Sequence, residues 1–169
     1  MMSAAAAVDF FEDRTSPLLM FLALFQARGW TCRSTSFEEV SGEAGGDWGK
    51  YQLRFIRRRA DRVVQAICLP DIRIPDAKLA TAMRLLALVN EQVWLGHFDI
   101  WSRGNVLVYR HALMLGDEGE ITLSQAQTVA ETAIEECDRF YPAFQFALWS
   151  DKSPEEALAA AMIDAAGEA

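Results

Sequence analysis

The chain is poor in cysteine, histidine and basic residues for its length. Its 169 residues include three cysteines, two histidines and 16 lysines and arginines, against 24 aspartates and glutamates, so the formal charge is −8 at pH 7. Three widely spaced cysteines without a Cys-x-x-Cys pair argue against a disulfide framework or a zinc knuckle, and they favour a reducing compartment. The acidity argues against nucleic-acid binding.

Long apolar runs and targeting signals are also missing. Residues 1–8 have no lysine or arginine ahead of an apolar stretch, so they do not resemble a signal peptide. The most apolar run, residues 17–27, is far shorter than the ~20 residues that cross a membrane. We therefore expect a cytoplasmic protein without membrane association.

Helix start signals and apolar periodicity predict four helices. The first begins at Ser16-Pro17, because a hydroxyl can cap the helix and proline suits its first position. The second begins at Asp76, with apolar residues every three or four positions. Capping boxes at 124–127 and 153–156 begin the third and fourth helices.

Five strands are predicted between these helices. Alternating apolar and polar side chains indicate strands at 51–55, 63–69, 97–101 and 106–114, and the stretch 31–40 is a plausible first strand. The glycines of 42–49 are interpreted as a mobile loop. The predicted fold is α+β: an antiparallel five-stranded sheet with helices packed on it, in the order α-β-β-β-α-β-β-α plus a C-terminal helix.

The residues that carry catalytic chemistry are not arranged in a convincing set. Gly45–Lys50 lacks the serine or threonine and the following helix of a phosphate loop. Cys68 and Cys137 lie on apolar stretches and are interpreted as small buried hydrophobes. We predict no enzyme activity, no catalytic residue and no cofactor.

Two histidines and an aspartate are the best candidates for a metal site. His97 and Asp99 project from the same face of one strand, and His111 lies on the strand predicted to pair with it. Three such donors can bind a metal. The alternative is a hydrogen-bonded polar face, which we favour, so we predict no metal site.

The segment 140–149 contains five aromatic residues and a proline. Pro142 is expected to kink or end the third helix. The aromatic residues either close the core beneath the last helix or form an exposed patch that marks an interface. Both interpretations remain open at this point.

The sequence resembles the YbjN-domain family, whose members are described as "putative bacterial sensory transduction regulators". The resemblance covers roughly residues 17–166 and is specific from Val89 onward. It is carried by Val89-Asn90-Glu91 and by the segments 94–101, 109–113, 140–144 and 153–158.

This resemblance implies a fold similar to that of type III secretion chaperones. Those proteins are often acidic homodimers that hold a partner chain in extended form along hydrophobic grooves. The family supplies no catalytic residues. We accordingly divide the chain into a flexible N-terminal segment (1–16), a YbjN-like α+β domain (17–150) and a C-terminal helix (151–169) that packs on the same domain.

The sequence therefore predicts a non-enzymatic, homodimeric regulator of sensory transduction or the stress response that binds a protein partner. The alternative is a regulator that senses a small ligand in an apolar pocket between sheet and helices, lined by residues such as Trp94, Phe98 and Trp101. The predicted partner-binding residues are Trp94, Phe98, Trp101, Tyr141, Phe144, Phe146 and Trp149.

Overall fold

An antiparallel β-sheet forms one layer of the protein, and helices pack on one of its faces. The computed structural model describes residues 16–58, 60 and 62–167. A short 3-10 turn (Asp76–Lys78) precedes the second helix. In chain order the other elements are α1 (Leu18–Arg28), β1 (Thr31–Thr35), β2 (Glu39–Gly46), β3 (Gly49–Arg58), β4 (Val63–Leu69), α2 (Leu79–Asn90), β5 (His97–Trp101), β6 (Val106–Met114), α3 (Leu123–Trp149) and α4 (Pro154–Gly167).

The sheet has six strands, so the prediction of five was wrong. The strands lie side by side in the order β1-β2-β3-β4-β6-β5, and all neighbours are antiparallel. The predicted strand 31–40 is divided by a turn, in which the Ser36 hydroxyl accepts hydrogen bonds from the backbone N–H groups of Glu38 and Glu39. The chain then continues as β2, most of which lies in the glycine-rich stretch predicted to be a loop.

Two glycines of β2, Gly42 and Gly46, make room for neighbouring atoms that include aromatic rings. A Cβ atom on Gly42 would lie 2.4 Å from a ring carbon of Phe25 and 2.1 Å from the carbonyl oxygen of Thr31. A Cβ atom on Gly46 would lie 2.2 Å from the ring of Tyr51. Gly42 and Gly46 are therefore required by close packing against the neighbouring strands and helices, which is why a glycine-rich stretch forms a regular strand.

The core lies between the sheet and the helices, and aromatic rings fill it. The rings of Phe21 and Phe55 stack at 3.9 Å between α1 and β3. Phe98 contacts Phe140 and Phe144 of α3 at centroid distances of 5.8 and 6.0 Å. Burial of several such rings is among the largest contributions to the stability of a domain.

The two buried cysteines agree with their predicted role. Cys68 of β4 and Cys137 of α3 are both buried among apolar residues. Burial raises the pKa of the Cys137 thiol well above its usual range, so this thiol stays protonated. Both residues therefore act as small hydrophobes in the core.

The helix ends differ in part from the predictions. α1 begins without a side-chain cap, and the Ser16 hydroxyl lies 3.4 Å from a guanidinium nitrogen of Arg57. The capping box of α3 is formed by Thr122 and Gln125, two residues before the predicted one. The predicted box of α4 is confirmed, because the Ser153 and Glu156 side chains each accept a hydrogen bond from the other's backbone N–H.

Pro142 lies inside α3 and does not end it. The helix runs for 27 residues, through the proline, to Trp149. A proline in a helix interior costs about 3 kcal/mol. Apolar residues on both sides of it, among them Phe140, Phe144 and Leu148, are buried and offset that cost.

α4 packs on α2 and α3 rather than on the sheet. It buries Ala157, Leu158 and Ala161, and Glu155 in its first turn pairs with Arg84 of α2 at 2.9 Å. The proposed N-terminal segment 1–16 lies outside the described residues except for Ser16, which is buried.

We expect Gly42→Ala to lower the free energy of unfolding by about 1–3 kcal/mol, because the added methyl group would overlap the backbone carbonyl of Thr31 and the ring of Phe25. Gly45→Ala is the matched control in the same strand, since a Cβ atom there has no neighbour within 4 Å. The control should leave stability unchanged or raise it by up to about 1 kcal/mol. Urea unfolding of both variants measures the difference, and equal effects would contradict the packing role of Gly42.

Candidate functional site

The structure separates the seven predicted contact residues into three groups. Phe98 and Phe144 are buried in the core and present no surface to a partner. Three are partly buried: Trp101, Tyr141 and Phe146. Two are exposed: Trp94 with 95% of its surface accessible and Trp149 with 67%.

These aromatic residues do not form one patch. Trp94 lies just before β5, near the end of β6 that contains Arg110. Trp149 ends α3 beside Ile74, Pro75 and Asn105, at the opposite end of β6. The segment 140–149 therefore contributes both to the core, through Phe144, and to the surface, through Trp149.

Sequence reasoning missed Trp48, which stacks on Tyr141. The two rings are parallel within 3° at a centroid distance of 5.7 Å, and about half of Trp48 is exposed. The indole N–H of Trp48 donates a hydrogen bond of 3.1 Å to the backbone carbonyl of Asp138. The stack thus joins the tip of the β2–β3 hairpin to the outer side of α3.

The carboxylate of Asp138 holds the same hairpin. Its Oδ1 accepts hydrogen bonds from the Tyr51 hydroxyl at 2.6 Å and from the Asp47 N–H at 2.8 Å. Burial raises the pKa of Asp138 and the nearby charge of Asp47 adds to this, whereas the two hydrogen bonds lower it, and the net shift is upward. Burial and the nearby carboxylate also raise the pKa of Tyr51, so the phenol stays protonated. These hydrogen bonds hold the hairpin tip on α3 and keep the Trp48–Tyr141 pair in place.

An apolar groove lies between β6 and the first turns of α3. Its volume is about 280 Å³, and one side opens to solvent. Burial lowers the pKa of His111 in its wall, so the imidazole is neutral at pH 7. The lining residues are Leu95, His111, Leu113, Ser124, Gln125, Thr128, Val129 and Thr132.

The groove lies between sheet and helices, where the ligand hypothesis expects a pocket, but its lining differs from the expected one. Phe98 lies in the core, and neither Trp94 nor Trp101 is among the lining residues. Leu95, beside Trp94, lines the groove instead. The sequence offered one signal for this groove, the apolar alternation along β6.

The structure separates the three candidate metal ligands. Asp99 pairs with Arg110 at 3.4 Å, and His97 lies opposite Arg110 on the exposed face of the sheet. His111 faces the helix layer instead, in the groove. Within 16–58, 60 and 62–167, no group of three or more histidine, cysteine, aspartate or glutamate residues is arranged to hold a metal ion.

None of the helices in the described part of the chain is long and apolar enough to span a bilayer. The other face of the sheet is polar, with ion pairs between neighbouring strands such as Arg54–Glu39 and Arg33–Glu43. The groove and the exposed aromatic residues are therefore the features most suited to binding an apolar group.

The sequence matches the family model YbjN, described as "Putative bacterial sensory transduction regulator", over residues 17–146. No curated protein was found to match this chain. The structure is similar to the crystal structure of YbjN from E. coli, described as "a putative transcription regulator", with a TM-score of 0.53 and 9% identity, over 87% of this chain and 93% of the other.

The fold is also similar to that in the crystal structure of the ExsC–ExsE complex. That match has a TM-score of 0.55 and 14% identity and covers 83% of this chain and 99% of the other. At these identities the matches show the fold alone. The α+β arrangement similar to a type III secretion chaperone, predicted from the resemblance, is confirmed.

The raised pKa of Asp138 predicts a specific pH dependence of stability. Because the folded state binds this proton more tightly than the unfolded chain, the free energy of unfolding should fall as pH rises from 3.8 through the folded-state pKa. The amide introduced by Asp138→Asn cannot ionise, yet its oxygen can accept the same two hydrogen bonds. Over this pH window, the wild type should therefore lose more stability than Asp138→Asn.

Urea unfolding at intervals from about pH 3.5 to pH 6 measures this difference. Glu136→Gln is the control, because burial also raises the pKa of Glu136 and adds a dependence of the same sign. Glu136→Gln should therefore retain the pH dependence of stability that Asp138 causes. Parallel stability curves for the wild type and Asp138→Asn would contradict the prediction.

Proposed function

The chain belongs to the YbjN family, and from this premise we propose that it is a non-enzymatic cytoplasmic regulator that acts by binding a protein partner. Its proposed role lies in sensory transduction or the stress response. The fold it shares with ExsC, a protein crystallised in complex with ExsE, supports the choice of a protein as the partner. The observation that carries the proposal is the exposure of large apolar side chains outside a filled core.

Trp94 is the clearest of these side chains. Its indole is almost entirely exposed, and the next residue, Leu95, is about half exposed and lines the groove. Tryptophan dominates the energetic centres of protein interfaces, because burial of its large ring gives much binding energy at low entropy cost. Exposed apolar surface of this kind usually marks an interaction site.

The charge of the chain specifies the chemistry of the partner. Residues 117–169, which include α3 and α4, contain 12 acidic and 2 basic side chains. Such a surface attracts basic segments and repels acidic ones. We propose a homodimer whose accessible aromatic residues contact a basic partner. These are Trp94, Trp101, Tyr141, Phe146 and Trp149.

Photo-cross-linking at Trp94 tests this function. Replacing Trp94 by p-benzoylphenylalanine places a reactive ketone on the exposed loop, so irradiation of host cells should give a discrete covalent product with a partner protein. A product of twice the mass of the chain would identify the homodimer. The exposed residue Gln52, on the polar face of the sheet, is the matched control position and should give no discrete product. The same diffuse products at both positions would contradict the proposal.

The groove favours a second candidate function, the sensing of a small apolar ligand. A cavity of about 150 Å³ is enough to hold a benzene ring. The groove is larger, at about 280 Å³, and its wall combines apolar side chains with the hydroxyls of Ser124, Thr128 and Thr132. Apolar surface with a few polar groups is typical of small-molecule sites.

A thermal-shift screen of small aromatic and aliphatic compounds tests this second function. A ligand at 100 times its dissociation constant adds about 2.7 kcal/mol to the free energy of unfolding. For a chain of this size, the melting temperature should then rise by about 5–10 °C. Thr128→Trp, which fills the groove from an exposed helix position, should abolish the shift. A shift that persists in this variant would place the ligand elsewhere.

A further inference from the structure

β6 is longer than its neighbour β5, so its last residues have an open edge. β5 pairs with β6 from Trp101↔Val106 to His97↔Arg110, whereas on the other side β6 pairs with β4 as far as Met114. Within the described part of the chain, residues 111–114 have a strand partner on one side only. This edge borders the groove, because His111 and Leu113 also line it.

The register shows which backbone groups point to the open edge. The N–H of Leu107 donates to the carbonyl of Ile72, and the N–H of Leu115 donates to the carbonyl of Arg62. The odd-numbered residues of β6 therefore direct their backbone N–H and C=O groups toward the β4 side. In an antiparallel sheet these directions alternate along a strand. The N–H and C=O groups of Ala112 and Met114 therefore point outward from the edge.

The outer edge of β5 is sealed by side chains. The amide of Asn90 accepts a hydrogen bond from the Phe98 N–H at 2.8 Å and donates one to the Phe98 carbonyl at 3.0 Å. The N–H of Ile100 donates to the Asp99 carboxylate at 2.8 Å. Both pairs occupy backbone groups that a further strand would need, which is a common protection of sheet edges.

The opposite edge of the sheet is irregular. In β1 the register shifts between residues 32 and 34, and such a bulge hinders the pairing of another strand. Among the described strands, the end of β6 therefore offers the edge best suited to strand addition, and it is the edge that adjoins an apolar groove.

A strand added in line with β5 would direct alternate side chains into the groove. Those facing the helices would contact Leu95, Leu113 and Val129. The side chains between them would lie near Met114, of which 78% is exposed. The groove volume of about 280 Å³ holds one aromatic or two smaller aliphatic side chains. The combination fits an extended segment with apolar residues at every second position.

Acidic residues beside the edge indicate the charge of that segment. The loop after β6 contains Asp117, Glu118 and Glu120, of which Asp117 pairs with Arg62 at 2.9 Å. A strand antiparallel to β6 enters at the Met114 end, so its N-terminal part lies beside this loop. Lysine or arginine there complements Glu118 and Glu120, whereas a second copy of this chain would bring another acidic loop.

We propose that the open end of β6 and the adjoining groove bind an extended segment of a partner protein, antiparallel to β6, with basic residues at its N-terminal end and apolar residues at alternate positions after them. This rests on the proposed protein-binding function and names its site, its binding mode and the chemistry of the segment. The affinity comes from main-chain hydrogen bonds to Ala112 and Met114 and from the side chains buried in the groove.

A fluorescent peptide that begins with Lys-Arg-Lys and continues with alternating leucine and threonine is a suitable probe. It should bind the wild type in an anisotropy titration and slow the hydrogen exchange of the Ala112 and Met114 amides. Met114→Pro removes an outward-facing N–H and should weaken binding at least about tenfold. Met114→Ala keeps that N–H and is the matched control, with a loss below about threefold.

Two further changes test the site independently of the proline variant. Thr128→Trp fills the groove from α3 and should also weaken binding at least about tenfold. A peptide N-methylated on alternate residues loses the same main-chain hydrogen bonds without any change in the protein, and it should bind equally poorly. Circular dichroism and melting curves establish that each variant is folded.

Three results would overturn the proposal. The first is that the peptide does not bind, and the second is equal affinity for the wild type, Met114→Pro and Thr128→Trp. The third is a wild-type dimer, seen by sedimentation, that Met114→Pro dissociates, because the edge would then bind a second copy. Cross-linking from Trp94 distinguishes failure of this site from failure of the proposed function. A discrete partner product that persists in Met114→Pro would retain the function and reject the site. The absence of such a product in the wild type would reject the function itself.

Discussion

The packing of α3 against the sheet is the interaction on which the rest of the structure depends. Small residues such as Ala130, Ala133 and Ala147 are fully buried along this helix and let it approach its neighbours closely, while the rings of Phe140 and Phe144 fill the remaining space. One rigid helix thereby fixes three surface features. Its first turns form a wall of the groove, Asp138 near its middle holds the β2–β3 hairpin, and its last residue presents an exposed indole.

Local signals in the sequence were sufficient wherever a structure is formed by neighbouring residues. Alternation predicted β5 and β6, and the Ser153–Glu156 pair correctly predicted the start of α4. The glycines of β2 show the limit of such signals. Glycine usually marks a loop, but Gly42 lies in a strand, where the backbone carbonyl of Thr31 and the ring of Phe25 occupy the space that a side chain would need. These neighbours lie 11 and 17 positions away in the sequence, so no local pattern contains the reason for this glycine.

The residue types of the candidate site could be predicted from the sequence, but their positions in the fold could not. An excess of aromatic residues was apparent from the sequence, yet periodicity does not show that Phe144 faces the core while Trp149, five residues later, faces solvent. The groove depends on a difference in length between β5 and β6 that appears when the two strands are paired. The role of Asn90 was equally hidden, because its amide seals an edge that exists only in the folded sheet.

The distribution of polar groups supports the binding function proposed above. Asp138 is occupied by the Tyr51 and Asp47 donors, Asp99 by Arg110, and the thiol of Cys137 is kept protonated by burial. These groups stabilise the fold and are engaged within it. In contrast, beyond the last β5 pair the outward backbone groups of Ala112 and Met114 have no paired strand in the described part of the chain, and they lie beside the apolar groove. In the proposed complex, an extended chain replaces the water that is hydrogen-bonded to these backbone groups. The sheet is already ordered, so the binding of such a strand costs it little entropy.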